Sequence, residues 1–455
     1  MLSAGFFLAG CSPATEKGNR GAADAGNGGK ADGAGPFDTG TLPLDAETNP
    51  SDMGTPRFDA GNNFLDAADV LADTSGISYD TSGTTDTADS EILPEPPRAP
   101  VAEFYSEAPC AFPASYSVSE YDSLSYLTCG GEPATNGLFR FDGDRWNMVG
   151  TVEGYPSNHI SLPGNYHAVA HSEFAGSGFH GFSIINGRTG EIADAIDLSR
   201  EFVRDEEGHA ISFNQTFPNG MLYIGGKICV ASSNLDEISG DPGATSYNPG
   251  TVSCFDLAPD GTIAHDDGVA YITSGVNPTG MVLMDEVLVR GIQRFAVLSS
   301  NSYDRDGNLN AALDIFSYPG MDRRAIIITA KDGSPVTAQI GPALAITRSG
   351  AILVGIQAPF NALYGADPDS GEIVFRRPIE GVANFISSIN ALGDLAALSD
   401  FDGKAMFLDT SPNGWADVLE TPLPGMAGPA LVYGGHLYQS VSTGEIWMIN
   451  LEGLQ

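Results

Sequence analysis

From Val101 to the end of the chain, short apolar runs rich in β-formers alternate with clusters of Gly, Asp, Asn, Pro and Ser. The clearest copy of the pattern is Ile340 to Pro378. It holds Ala343 to Thr347, a turn at Arg348-Ser349-Gly350, and Ile352 to Gln357, then Ala362 to Ala366 and Glu372 to Arg376 joined by Asp367-Pro368-Asp369-Ser370-Gly371. Apolar β-formers bounded by residues that tolerate tight reversals predict strands and hairpins. Four such strands in succession make one blade of a β-propeller. Seven inner strands can be laid out: Leu124 to Thr128, Tyr166 to Ala170, Ile228 to Ser232, Phe295 to Ser299, Ile352 to Gln357, Leu395 to Ser399 and Leu437 to Ser440. Each is followed by a further strand and a turn bearing Asp, Asn or Gly, from Asp142-Gly143 in the first unit to Leu451 to Gly453 in the last. Units of about 51 residues fit propeller blades and are too long for a horseshoe or a parallel β-helix. The expectation is an all-β propeller of seven four-stranded blades. The last unit stops just after its third strand and turn, so Val101 to Ser106 is predicted to supply the missing fourth strand, closing the ring and hiding its edges.

The region before the propeller reads differently. Ser12 to Pro100 is Gly, Ala, Asp, Thr, Ser and Pro with few aromatics, too little apolar surface to offset the entropy of ordering. A disordered tether is expected there, stiffened at its end by Glu95-Pro96-Pro97-Arg98-Ala99-Pro100. Residues 2–11, LSAGFFLAGC, end in Leu8-Ala9-Gly10-Cys11 and resemble the lipobox of bacterial lipoproteins. The resemblance implies lipidation of Cys11 and a signal peptide before it. The basic opening and longer apolar core of a signal peptide are not in this stretch, so the natural start is expected upstream. The expected organisation is therefore 1–11 signal remnant and lipobox, 12–100 tether, 101–455 propeller. No other apolar run approaches the ~20 residues of a membrane helix, so the membrane link is expected to be lipid only. Ser12 after the Cys implies the outer membrane of the cell envelope, at its periplasmic face or the cell surface.

Charge narrows the partners. Asp and Glu number 58 against 21 Lys and Arg, a formal charge of -37. Sixteen acidic and five basic residues fall between Ser12 and Pro100, leaving a net -26 for the remainder. Binding to a phosphate backbone relies on clustered Lys and Arg, so nucleic acid is excluded as an expected partner. Only five of the 21 cations are Lys, a balance that fits an ordinary acidic secreted protein or, alternatively, a surface suited to salty surroundings, where salt screens self-repulsion.

Asn277-Pro278-Thr279-Gly280-Met281 ahead of Phe295 to Asn301, and Pro218-Asn219-Gly220-Met221 ahead of Lys227 to Asn234, resemble the repeats of YVTN-type and lactonase-like seven-bladed propellers. Leu363-Tyr364-Gly365-Ala366-Asp367 with Ser370-Gly371-Glu372 and Phe375 is similar to the repeat of quinoprotein-like propellers, Phe375 standing where Trp is usual. The resemblance implies the fold and no particular chemistry, since propellers host binders, scaffolds and enzymes.

Candidate chemistry is sparse. Four cysteines besides Cys11 allow three connectivities. Pairing of sequence neighbours, Cys110 with Cys129 and Cys229 with Cys254, is expected because each bridge then stays within one blade. Ser302-Tyr303-Asp304-Arg305-Asp306-Gly307-Asn308-Leu309-Asn310 alternates oxygen side chains before a Gly and resembles the calcium loops of integrin-type propellers, with Asp304, Asp306, Asn308 and Asn310 as candidate ligands. A plain polar hairpin loop is the competing reading. His167 and His171 lie roughly 13 Å apart on a strand, so they are not expected to share an ion, and His180, His209 and His265 add no metal spacing. Gly176-Ser177-Gly178-Phe179-His180-Gly181 satisfies GxGxxG without the helix a dinucleotide needs, and no GxSxG, HExxH or phosphate-loop pattern occurs. Three functions fit: a monomeric, lipid-anchored module that binds a protein or glycan of the cell envelope; an enzyme of the lactonase, lyase or quinoprotein kind with its site in the central channel; or an envelope-assembly subunit. The expectation leans away from an enzyme.

Overall fold

In each of the seven apolar runs, side chains on both faces of the strand are covered, because a neighbouring blade packs against each side. In Leu395–Asp400 every residue is buried, and in Ser125–Cys129 all but the first. The computed structural model describes residues 97–454 apart from 112, 131–135, 173–178, 199–202, 205–209, 212–214, 238–244, 266–267, 285–290, 301–310, 340–343, 383–384, 412–414 and 416. Cys11 and the tether as far as residue 96 lie outside the described residues. Among the described residues no helix is long and apolar enough to cross a membrane.

The strands form seven sheets. Blade 1 runs outward through Pro113–Val118, Ser125–Cys129, Gly137–Phe141 and Trp146–Thr151, and blade 2 through Tyr155–Leu162, Tyr166–Ser172, His180–Asn186 and Ile192–Asp197. Blade 4 is Pro278–Leu283, Gln293–Ser299, Ala312–Tyr318 and Asp322–Ile327; blade 6 is Ile386–Leu392, Leu395–Asp400, Lys404–Asp409 and Leu419–Pro422. Blade 3 has Gln215–Ile224, Lys227–Glu237, Thr245–Asp256 and Val269–Val276, extended outward by the short strands Val203–Arg204 and Ala210–Ile211. Blade 5 has a broken innermost strand, Thr337–Ala338 and Leu344–Ile346, both paired to Ile352–Ala358, followed by Ala362–Ala366 and Ile373–Pro378. Successive innermost strands touch in chain order, and that of blade 1 also touches that of blade 7, so the ring is complete.

The seven apolar runs, laid out as inner strands, are the second strands of their blades, as the order of strands in Ile340 to Pro378 requires. The innermost strands are more polar, as in Pro113–Val118, where only Pro113 and Tyr116 are buried, because one edge faces the channel. The stretch Ser233 to Gly250, which reads as an insertion, is largely the continuation of the blade 3 hairpin, paired as far as Glu237 with Thr245.

Closure happens as the pattern predicts. Ala102–Glu107 pairs antiparallel with Glu445–Asn450 and completes blade 7 outside His436–Val441 and Ala427–Tyr433. Aromatic rings fill the seam it makes with blade 1: Tyr105 lies 5.0 Å from Tyr438 and 5.5 Å from Phe141, and Tyr116 lies 5.9 Å from Trp146. Cys110, in the connection from the closing strand to blade 1, is bonded to Cys129 on the second strand of blade 1, and Cys229 to Cys254 across blade 3. The first bridge closes a loop between residues 19 apart in sequence. Replacing both Cys110 and Cys129 with Ser is therefore expected to cost about 3 kcal/mol, read as a lower denaturant midpoint with a slope no smaller than the wild type's, because the unfolded chain without the bridge expands.

The apolar core is divided among the seams: seven clusters, one for each pair of neighbouring blades. They are unequal. The cluster between blades 4 and 5 has fifteen buried apolar residues and that between blades 1 and 2 only five, Tyr126, Leu138, Val152, Val169 and Ile185. The scarce cations reinforce the rim on the opposite side of the ring. Arg324 of blade 4 donates to the carbonyls of Pro368, Asp369 and Ser370 in blade 5, Arg323 to the Ile272 carbonyl in blade 3, and Arg376 of blade 5 to the Thr329 carbonyl. An Arg fork can satisfy several carbonyls at once, which suits a rim stitched by few positive charges.

Candidate functional site: the channel wall and the seam of blades 1 and 2

Every innermost strand shifts register against its neighbour near the same end of the channel. The shifts fall at Pro113/Ser115, Pro156/Asn158, Pro218/Gly220, Pro278/Gly280, Thr337/Ala338, Ile386/Ser388 and Ala427/Ala430. Four of these start with Pro, which gives no N–H to a ladder and is tolerated at bulges. The unpaired residues and those beside them are small and polar, and they link blade to blade. Ser157 donates to the Pro218 carbonyl and Asn158 to the Asn219 carbonyl at 3.2 Å; Asn219 in turn donates to the Pro278 carbonyl at 2.7 Å. Ser233 donates to Asn277 Oδ1 at 2.7 Å, and the Ala338 N–H to the Ser300 carbonyl at 2.9 Å. Ser399 donates to Gln439, whose amide donates to the Gly428 carbonyl at 2.8 Å. The result is a girdle of uncharged hydrogen-bonding groups around the channel.

The connections between second and third strands leave from the strand ends nearest this girdle. In blades 5 to 7 they are only 359–361, 401–403 and 442–444, against seven residues of chain or more in blades 1 to 4. The low side carries apolar side chains: Phe360 is 47% exposed and Met426 37%, and Phe385 stacks on Phe401 with centroids 4.7 Å apart. Beside Phe401, the Asp400 carboxyl is fully buried; burial raises its pKa, while the Lys404 and Gly403 backbone N–H groups act the other way.

Four of the seven histidines belong to blade 2 and all four are buried: His159, His167, His171 and His180. His171 pairs with Pro156 and His180 with Ser172 at the girdle end, whereas His167 pairs with Ser161 toward the other end of the channel. Strand alternation sends His159, His167 and His171 toward blade 1. Ser117 on the innermost strand of blade 1 meets His159 Nδ1 at 2.8 Å, and His159 Nε2 meets His167 Nδ1 at 3.2 Å. The Tyr126 ring lies 5.4 Å from the His159 ring and 4.5 Å from that of His167, and its hydroxyl donates to Asp122 at 2.7 Å. His171 is in a separate group, 2.8 Å from the Ser183 hydroxyl and stacked on Phe179 at 4.4 Å. Burial drives the pKa of His159 well below its ordinary value, with the His167 charge acting the same way. It brings His167 and His171 down to about 4, against a smaller opposing pull from Asp122 on the first, and from the Glu153 backbone and Asp197 on the second. All three rings are neutral at pH 7.

The structure thus separates His167 from His171, as their spacing requires, but joins His167 to His159, which sequence spacing had not paired. The candidate calcium ligands Asp304, Asp306, Asn308 and Asn310 lie outside the described residues. Among the described residues, no group of three or more His, Cys, Asp or Glu could hold a metal ion. The girdle had a usable sequence signal, the recurring Pro-x-Ser, Pro-x-Asn or Pro-x-Gly of Pro113-Ala114-Ser115, Pro156-Ser157-Asn158, Pro218-Asn219-Gly220 and Pro278-Thr279-Gly280. The Ser117–His159 contact had none, because its members are 42 residues apart in different blades.

No family model and no curated protein matches the chain. The solved structure of selenomethionine-substituted virginiamycin B lyase from Staphylococcus aureus aligns over 77% of this chain and 99% of its own, at 14% identity and a TM-score of 0.50. Since 1240 solved chains match the fold, this likeness selects the architecture, a seven-bladed β-propeller, and leaves the chemistry to the residues.

Proposed function

We propose that the chain is a lipid-anchored binding disc of the cell envelope, held at the outer membrane through Cys11, and that its ligand is a neutral glycan bound on the face carrying the connections between second and third strands. The observation that carries this reading is the low aromatic shelf of Phe360, Phe385 and Phe401 beside a girdle of uncharged hydroxyls and amides. A flat ring offers apolar area to the C–H face of a sugar, while Ser, Asn and Gln side chains both donate to and accept from its hydroxyls. Apolar surface flanked by a few placed polar groups is the usual make-up of a ligand site. The net -26 of the part beyond Pro100 favours neutral over anionic polysaccharides through long-range repulsion. The test is a titration of the full chain against neutral oligosaccharides immobilised on an array. The double variant Phe360→Ala, Phe401→Ala is expected to bind the best of them about 10- to 100-fold more weakly with its melting temperature unchanged within a few degrees. Wild-type affinity in that variant, or no glycan bound by the wild type, would refute the reading.

A further inference from the structure

We propose that Ser117, His159 and His167 form an acyl-transfer site at the end of the channel away from the girdle, with Ser117 as a nucleophile toward small carboxylic esters. Hydroxyl, first imidazole and second imidazole stand in line at 2.8 and 3.2 Å, the arrangement of a nucleophile, a base and a group that orients the base. Ser117 is partly exposed whereas both rings are buried, so the hydroxyl is the member a substrate reaches.

The line of contacts implies one tautomer pattern. If Ser117 donates to His159 Nδ1, His159 carries its proton on Nε2 and donates it to His167 Nδ1, so the His167 proton sits on Nε2. Tyr126, fixed by Asp122, holds the planes of both rings, the kind of supporting shell that a working site requires. As packing alone, two buried imidazoles fill a seam less well than apolar residues of the same size.

The step balances without a further reactant but water. Ser117 Oγ bonds to the ester carbonyl carbon as its proton passes to His159 Nδ1. The ester C–O bond breaks, and the leaving alcohol takes that proton. Water then attacks the acyl-Ser117 ester, with His159 accepting its proton and returning it to Ser117 Oγ. His167 is a positioning residue, stabilising the His159 imidazolium through Nδ1.

The experiment uses the full chain, with a fluorophosphonate probe and p-nitrophenyl acetate. The expected result is one label per chain, located on Ser117 by peptide mass, and turnover reduced at least about 100-fold in Ser117→Ala and in His159→Gln. His167→Gln is expected to lower kcat about tenfold at unchanged KM and to shift the acid limb of the pH profile. Ser349→Ala removes a hydroxyl that meets Thr347 in blade 5 and should leave the rate unchanged. Should the histidine variants misfold, Ser117→Ala decides alone, since it removes only a partly exposed hydroxyl: it is expected to lose both the label and the turnover. An unlabelled wild type, or wild-type labelling or turnover in Ser117→Ala, overturns the proposal.

Discussion

A chain that starts at Ala108 is expected to lose cooperative folding, whereas one that starts at Pro97 melts like the full chain. The cut at Ala108 removes Ala102–Glu107, leaving the whole length of Glu445–Asn450 as an open edge in blade 7. It also takes Ala102 from the cluster of Leu437 and Ile449, and Tyr105 from Tyr438 and Phe141. Blade 1 is then held to blade 7 by what remains of a small cluster. The combined loss is on the order of 5 kcal/mol or more, comparable with the whole stability of an ordinary domain, and the bare edge is a template for aggregation. Thermal melting followed by circular dichroism, with size-exclusion chromatography of both chains, reads the result. A cooperative melt of the Ala108 chain within a few degrees of the Pro97 chain would show that the closing strand is dispensable. A synthetic peptide of residues 97–107 added in trans should restore part of the melt, since an open edge accepts a strand.

The second large effect is acid lability between pH 7 and pH 5. His159, His167 and His171 share the seam with the joint smallest apolar cluster, and burial holds all three below their ordinary pKa. A base whose folded pKa lies below its unfolded value binds more protons when unfolded at acidic pH, so stability rises with pH. The contribution is fully present above about 6.5 and is lost as pH falls toward about 4. For rings brought to about 4, the loss between pH 7 and pH 5 is roughly 2 kcal/mol each. Asp122, which faces His167, does not confuse this window. Burial works against its charge, but the Tyr126 hydroxyl and the Leu124 N–H hold it below the usual carboxylate range, so it stays ionised. Urea midpoints at pH 7 and pH 5 should therefore differ by several kcal/mol in the wild type. In His167→Gln, His171→Gln the difference should shrink by about 4 kcal/mol. An unchanged difference would assign the acid loss elsewhere.

What could be seen in the sequence followed from covering. A strand packed on both faces must be apolar throughout, so the second strands stood out as runs, and their number and spacing gave the seven blades and the need for Ala102–Glu107. The innermost strands were hidden because their bulged ends carry Ser157, Asn219 and Ser387 toward polar partners, which reads as loop composition. Neighbouring cysteines could be paired because Cys229 and Cys254 face each other across one ladder. The seam histidines could not be assembled, since which strand faces His159 is set by the circular order of blades and not by any local period. Ser117 has no motif around it for the same reason.

The closing strand also has a mechanical meaning. In a chain held at its N-terminus, a pull on residues before Pro97 reaches Ala102–Glu107 before any other strand, and the Thr421 hydroxyl bonded to the Pro100 carbonyl at 2.7 Å is the first latch to give. If the strand were stripped from Glu445–Asn450, the load would pass next to Cys110, whose bond to Cys129 carries it into blade 1. The bridge is thus a covalent stop: tension can unzip six residues but cannot draw the ring open bond by bond, and when the tension relaxes the same strand lies beside the edge it left.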